Sequence, residues 1–543
     1  MFFTMPALII HGHFYQPPRE NPWTGIVEEQ PSAAPFHDWN ERIHVECYRA
    51  NASASISDPA TGEDRIVNNY AHISFNFGPT LLGWLATNHQ DTYDRIIDAD
   101  RDSALRHGGH GNAMAQAYGH AILPLCNQHD LRTQIRWGLA DFRYRFGREA
   151  ESLWLPETAC NDAVMDALVE EGLRFVILAP QQAARVRILT SRDSDQVDNE
   201  ISTGSGSDRV SLALNETWFH VNEATLDTSI PYRYFHRDAH NKSIDVFFYD
   251  GRTSRAIAFE NLLKSGRELL DAFARSVNGR EMINVANDGE TYGHHFKFGD
   301  ICLAHALEME APAQGFQIMN YGAYLDEYTA TFEVVINNGP DGEGTSWSCP
   351  HGVGRWICDC GCHTGGETGW IQQWRKPLRA ALDYLRDKNE AHFEATRETL
   401  FADPWVARDE SIALVLDPQH SRERFLFEHA GRWLSANEQR RALTYLELQR
   451  MLLLMYTSCG WFFNDISGIE TIQILKYAAR AIDLMEQLDL PSVRERFLEI
   501  LSEANSNRPE MGTAADIYRR FIEPLNPNHK RNHDTEPIAV ASG

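Results

Sequence analysis

Across residues 7–310 the chain alternates short apolar runs with longer amphipathic stretches. The runs ALIIHGH (7–13), HISFNFG (72–78), GHGNAMA (109–115), ESLWLPE (151–157), RFVILAP (174–180), SIDVFFYD (243–250) and EMINVAND (281–288) read as strands. Between them, TLLGWLATN, LRTQIRWGLADFRYRFG, DAVMDALVEEG, FENLLKSGRELLDAFARSV and DICLAHALEME repeat their apolar residues at three and four, the helical period. Repeated strand–helix units predict an α/β fold with a parallel sheet and helices outside it. Seven such strands predict a (β/α)7-type, incomplete TIM barrel.

The catalytic barrel is therefore expected over 1–312, with insertions at 14–71 and 189–243. The second insertion opens on the polar stretch TSRDSDQVDNEISTGSGSDR, which predicts a mobile loop. Beyond about residue 312 the strand signals fade. A Gly- and Cys-rich connecting region over 313–364 leads into a mostly helical domain over 365–523, and the final segment 524–543 reads as a disordered tail.

The longest apolar run, MLLLMY at 451–456, is too short to span a bilayer, and the N-terminus has no basic region or small-residue cleavage site. A cytoplasmic protein is expected. The formal net charge of −26 opposes binding to nucleic acid or an anionic membrane and suits a neutral partner. Thirteen tryptophans offer flat apolar faces of the kind that stack on sugars.

Polar residues fall where the apolar runs end. His11 and His13 close the first strand, Glu157 the fourth, Asp250 the sixth, and Asp288 with Glu290 the seventh. Loops after barrel strands converge on one face, where catalytic groups gather. Glu157 also reads as a cap for the helix starting near Asn161, and Asp250 as part of an Asp-Gly turn. As a pair, however, they suit glycosidic chemistry, in which one carboxylate attacks the anomeric carbon and a protonated partner assists the leaving oxygen.

These residues carry a family resemblance. HGHFYQP (11–17) resembles the opening motif of glycoside hydrolase family 57, GHGNAMAQAYGHAILPL (109–125) its second, LWLPE its third, FFYDG its fourth and NDGETYGHH (287–295) its fifth, all in the family's order. HDWNERI (37–43) and NNYAHISFNFGPTLL (68–82) resemble a subgroup with a companion C-terminal domain of unknown function. The resemblance implies a retaining enzyme acting on α-glucans or related sugars, by hydrolysis or transfer, without a cofactor. It implies Glu157 as nucleophile and Asp250 as acid and base. It implies a donor-sugar subsite lined by His11, His13, His120, Asp288, Glu290 and His294, to which Trp154 of LWLPE is added. Asn112 stands where the second motif usually carries an acid, and is expected to hydrogen-bond a sugar hydroxyl. Trp461, in YTSCGWFFND, is the candidate for a stacking ring from the helical domain, with core packing as its alternative.

Nine cysteines without a secretion signal favour free thiols. Cys349, Cys358, Cys360, Cys362 and His363, with His351, could hold a structural zinc, although C-x-C-x-C is not the usual C-x2-C knuckle and a reduced loop is expected. Two other functions fit the same fold: a metal-dependent polysaccharide deacetylase, and a non-catalytic carbohydrate-binding protein. Sequence alone leaves the sugar, its linkage, hydrolysis versus transfer, and the oligomeric state open.

Overall fold

The computed structural model describes residues 5–57, 62–189, 217–277, 281–417 and 419–526. The polar stretch expected to be mobile lies outside these, as does the terminal segment from 527. The chain forms two units: Met1–Pro17 with Glu29–Val353, and Pro18–Glu28 with Gly354–Gly543.

In the first unit the seven expected strands all appear. They are β1 (Ala7–Phe14), β2 (Ser74–Phe77), β3 (Ala113–Gln116), β4 (Leu153–Trp154), β5 (Phe175–Leu178), β6 (Ser243–Phe248) and β7 (Met282–Asp288). Parallel pairing runs β7–β1–β2–β3–β4. A parallel bridge from Ser152 to Phe175 carries the ring on to β5, and β5 pairs in parallel with β6. Closure needs one more seam, which the Asp250 N–H supplies by donating to Asn284 O at 2.8 Å. The result is a closed ring of parallel strands.

Alternation decides what fills it. Ala7 and Ile9 of β1, Met114 of β3, Trp154 of β4, Phe175 and Ile177 of β5, Phe247 of β6, and Met282 and Ala286 of β7 share one buried cluster. Met319, Tyr321, Tyr324 and Leu325 join that cluster from the helix Tyr321–Glu327 and the residues before it. Aliphatic and aromatic residues occupy the lower part of the inward-facing rows. The same rows turn polar toward the strands' C-terminal ends, at His11, His13, Asn76, Gln116 and Asp288.

Helices cover the outside. Helix Gln128–Phe146 lies so close to β3 that a Cβ on Gly138 would come within 2.0 Å of Gln116 O. The structure also departs from the expected pattern. A mixed antiparallel and parallel side sheet extends β5 and β6 through Tyr232–Phe235, Phe332–Ile336, Ala183–Ile188 and Phe219–His220. Two of these strands lie in the 189–243 insertion, and Phe332–Ile336 lies beyond where strand signals fade. All are short, from two to six residues.

The second unit is helical, with Arg375–Glu394, Ala436–Leu454, Ile469–Gln487, Arg494–Leu501 and Ala514–Phe521 as its main elements. Part of the first insertion belongs to it: Trp23 Nε1 donates to Asp483 Oδ2 at 2.7 Å. No helix among the described residues is long and apolar enough to cross a membrane.

Candidate active site

Glu157 lies three residues beyond β4, in the 3-10 turn Pro156–Thr158. It does not cap the next helix, because Asn161 does so by accepting from Val164 N at 3.1 Å. Glu157 (φ 58°) and Thr158 (φ 50°) are consecutive left-handed, non-glycine residues. Each such backbone costs about 1–3 kcal/mol and persists only where the surroundings enforce it. The enforcing contacts come from far along the chain. Trp347 N donates to Glu157 O at 3.0 Å, Trp347 Nε1 to Glu157 Oε2 at 3.0 Å, and Ser348 Oγ to the same oxygen at 2.6 Å. Two charge-assisted bonds on one oxygen fix the plane of the carboxylate.

Asp250 follows β6 by two residues and is half-exposed. It caps helix Gly251–Phe259, its Oδ1 accepting from Thr253 N at 2.8 Å. Oδ2 makes no hydrogen bond among the described residues. Tyr249, the inward-facing neighbour, is in edge contact with Trp347 at 6.4 Å, so one ring touches both the Glu157 carboxylate and the residue beside Asp250.

The histidines form a row organised by Asn76, a residue that carries no sequence signal. Asn76 Oδ1 lies 3.0 Å from His11 Nε2, and its Nδ2 lies 3.0 Å from His13 Nδ1 and 2.7 Å from Gln116 Oε1. With the amide in this orientation His11 carries its proton on Nε2 and His13 accepts at Nδ1. His13 Nε2–H then donates to His120 Nε2 at 3.2 Å. Rings stack along the row: Trp154 on His11 (4.6 Å) and His13 (5.2 Å), His13 on His120 (5.3 Å), and His120 on Tyr15 (3.7 Å). Burial pushes His11 and His13 down to about 3 and His120 well below its ordinary value, so all three are neutral near pH 7.

The acids behave oppositely. Asp288 is exposed to the cleft yet crowded by its walls, and loss of water followed by the charge of Glu157 pushes its carboxyl up to about 7. Glu290 is buried and raised to about 8, chiefly by desolvation, while its Oε1 accepts from Tyr48 Oη at 2.7 Å and Tyr15 N at 3.1 Å. His294 is half-buried, with Nδ1 against Glu46 Oε2 and Trp39 edge-on at 6.1 Å.

Three expected sugar contacts take other roles. Asn112 precedes β3 and so lies at the opposite end of the barrel, where its Nδ2 donates to Tyr70 O and its Oδ1 accepts from Asn320 Nδ2. The strand begins later than its apolar pattern suggests, and Gln116 holds the cleft end instead. Trp154 is 1% exposed and forms the floor beneath His11 and His13 rather than an open face. Trp461 is fully buried in the helical unit with the Arg379 guanidinium 4.5 Å over its ring, leaving no face for a sugar. Two buried donors at adjacent strand ends, Gln116 Nε2 and Trp154 Nε1, have no acceptor among the described residues.

Cys47, Cys160 and Cys302 are buried free thiols. Cys349 is buried at the end of the first unit. In the second unit Cys358 and Cys360 are half-buried, Cys362 is buried and His363 is exposed.

A closed parallel barrel with carboxyls, neutral imidazoles and indole rings at the C-terminal ends of its strands is the framework of a glycoside hydrolase or transglycosidase. The chain belongs to glycosyl hydrolase family 57, which it matches over residues 36–336, and residues 370–532 match a domain of unknown function, DUF3536. No curated protein matches the sequence. Among solved structures, the chain is similar to an exo-type maltose-forming amylase from Pyrococcus sp. ST04, with 14% identity, TM-score 0.61, and 97% of this chain and 94% of that one covered. It is also similar to a family 57-type branching enzyme from Pyrococcus horikoshii, with 13% identity, TM-score 0.51 and coverage of 99% and 98%. A family 57 branching enzyme from Thermococcus kodakaraensis gives 15% identity, TM-score 0.50 and coverage of 93% and 96%.

Proposed function

We propose that this enzyme cleaves or transfers α-glucosidic linkages with retention, using Glu157 as nucleophile and Asp250 as acid and base. The observation that carries the reading is the Glu157 carboxylate, held by Trp347 and Ser348 at the C-terminal end of a barrel strand. Asp250 stands two strands away around the ring. Strands spaced about 4.8 Å apart put the two strand ends roughly 10 Å apart. Inward-leaning Glu and Asp side chains can narrow that span to the roughly 5–5.5 Å of a retaining pair.

In the first step Glu157 attacks the anomeric carbon, the glycosidic C–O bond breaks, and the Asp250 carboxyl gives its proton to the leaving oxygen. In the second, the Asp250 carboxylate takes a proton from water or an acceptor hydroxyl. That oxygen attacks the anomeric carbon and releases Glu157. Neutral His11, His13 and His120 line the donor subsite without adding charge. Asp288 and Glu290 complete the donor subsite. An α-glucan is favoured because the similar structures above are an amylase and two branching enzymes.

The test is incubation with maltooligosaccharides, longer α-glucans and a panel of other oligosaccharides, with product analysis by chromatography and anomeric NMR. A 5-fluoro glycosyl fluoride should label Glu157, detected by peptide mass. Inversion of configuration, or a label on another carboxylate, overturns the assignment.

A further inference from the structure

The HDWNERI segment is unused by the chemistry above. Asp38 caps helix Trp39–Ile43 by accepting from Asn40 N (2.8 Å) and Glu41 N (3.1 Å), which sets Glu41 and His44 on one helical face. His44 opens a π-helical turn, His44–Tyr48, an irregularity often found at functional positions. His89 is the hinge residue between helices Pro79–Asn88 and Gln90–Arg106. Glu41, His44 and His89 each offer a donor atom, and these atoms all lie within 4.8 Å of one another. His89 Nε2 is 3.0 Å from both Glu41 oxygens, and the His44 and His89 rings stack at 3.7 Å.

An ion pair between Glu41 and His89 beside a packed histidine would account for most of this. It does not account for His44 Nδ1. His44 is 3% exposed, its Nε2 lies 2.9 Å from Thr92 Oγ1, and its Nδ1 has no hydrogen-bond partner among the described residues. A buried ring nitrogen left without a partner is costly. When Nε2–H donates to Thr92, Nδ1 presents a bare lone pair. A second ring nitrogen fixed by an outer hydrogen bond is the usual arrangement of a metal-ligating histidine.

We propose that Glu41, His44 and His89 bind one divalent transition-metal ion, with zinc the best match. Two imidazoles and one carboxylate form a three-ligand set that suits zinc and leaves a fourth position for water. The ion would fasten the 39–52 segment to the hinge between the two helices. That segment carries Glu46 to His294 and Tyr48 to Glu290, so the ion would brace one wall of the cleft without touching substrate.

The test uses the full-length protein, stripped with a chelator and titrated with Zn²⁺ by calorimetry and with Co²⁺ by absorption. One tight site per chain is expected. Bound cobalt should show visible d–d bands without a thiolate charge-transfer band, which separates this site from binding at cysteines. Zinc should raise the Tm of the parent protein. Glu41→Gln and His89→Gln, both half-buried positions, should weaken zinc binding about 10- to 100-fold and abolish the Tm rise, while metal-free unfolding is little changed. His44→Asn is a harsher variant, and the conclusion does not depend on its folding. No binding, binding seen only through thiolates, or unchanged affinity in both conservative variants would overturn the proposal.

Discussion

The indole of Trp347 donates to Oε2 of Glu157 at 3.0 Å, although 190 positions separate the two residues in sequence. The Glu157 carboxylate is thus positioned by a Gly-rich loop as much as by its own strand. Trp347→Phe removes the donor but keeps the ring against Trp154, Tyr249 and His13. Turnover should fall about 10- to 100-fold with the Tm nearly unchanged, and Ser348→Ala should act similarly. Steady-state kinetics with thermal melts checks this. An effect confined to KM would show that the two donors bind substrate instead.

Glu157→Gln and Asp250→Asn should each lower kcat by several powers of ten, with circular dichroism unaltered. They should differ in their dependence on the aglycone. Asp250→Asn should retain much more activity on an aryl glycoside with a good leaving group, because that bond needs no proton, whereas Glu157→Gln should fail on every substrate. Asp250 caps a helix, and Asn caps about as well as Asp, so loss of fold is not expected.

The raised acid at Asp288 gives the pH profile a specific shape. As pH passes about 7, Asp288 loses its proton and adds a negative charge near Glu157, next to an anomeric carbon that becomes positive in the transition state. kcat/KM should therefore rise through that range, and the rise should vanish in Asp288→Asn. Initial rates in constant-ionic-strength buffers from about pH 5.5 to 8.5 read it directly.

Stability should respond to acid through the histidine row. His11 and His13 titrate near 3 when folded but near their ordinary 6.5 when unfolded, so below 6.5 the unfolded chain binds more protons. Stability is complete above 6.5 and is lost progressively toward pH 3. Each tenfold difference in proton affinity between the folded and unfolded chain is worth about 1.4 kcal/mol. Chemical denaturation at several pH values should show this slope, and His13→Gln should make it shallower.

Most of the barrel is legible in the sequence because β1, β5, β6 and β7 are apolar runs with polar ends, and a parallel strand must bury both faces. Glu157 and Asp250 are legible for the same reason: each stands just beyond such a run. Asn112 is misplaced by that logic because β3 is only four residues long, and its weak pattern does not show which end faces the cleft. Asn76 is invisible because an asparagine inside SFNF looks like an interruption, and its meaning comes from two histidines and a glutamine on neighbouring strands. Trp347 and Ser348 lie in a loop with no periodicity to place them. Trp461 sits among aromatic residues whose burial depends on helix packing, and local spacing does not encode that.

Asn76 also gives the proposed sugar site a polarity. Its carboxamide has an oxygen at one end and a nitrogen at the other, and the proton positions of three imidazoles follow from which end faces which. Turning that one group over would exchange giving and receiving nitrogens along the whole line, and a glycan whose hydroxyls matched the first arrangement would meet like against like. Which epimer is welcome can thus be decided at a position that need not touch the glycan at all.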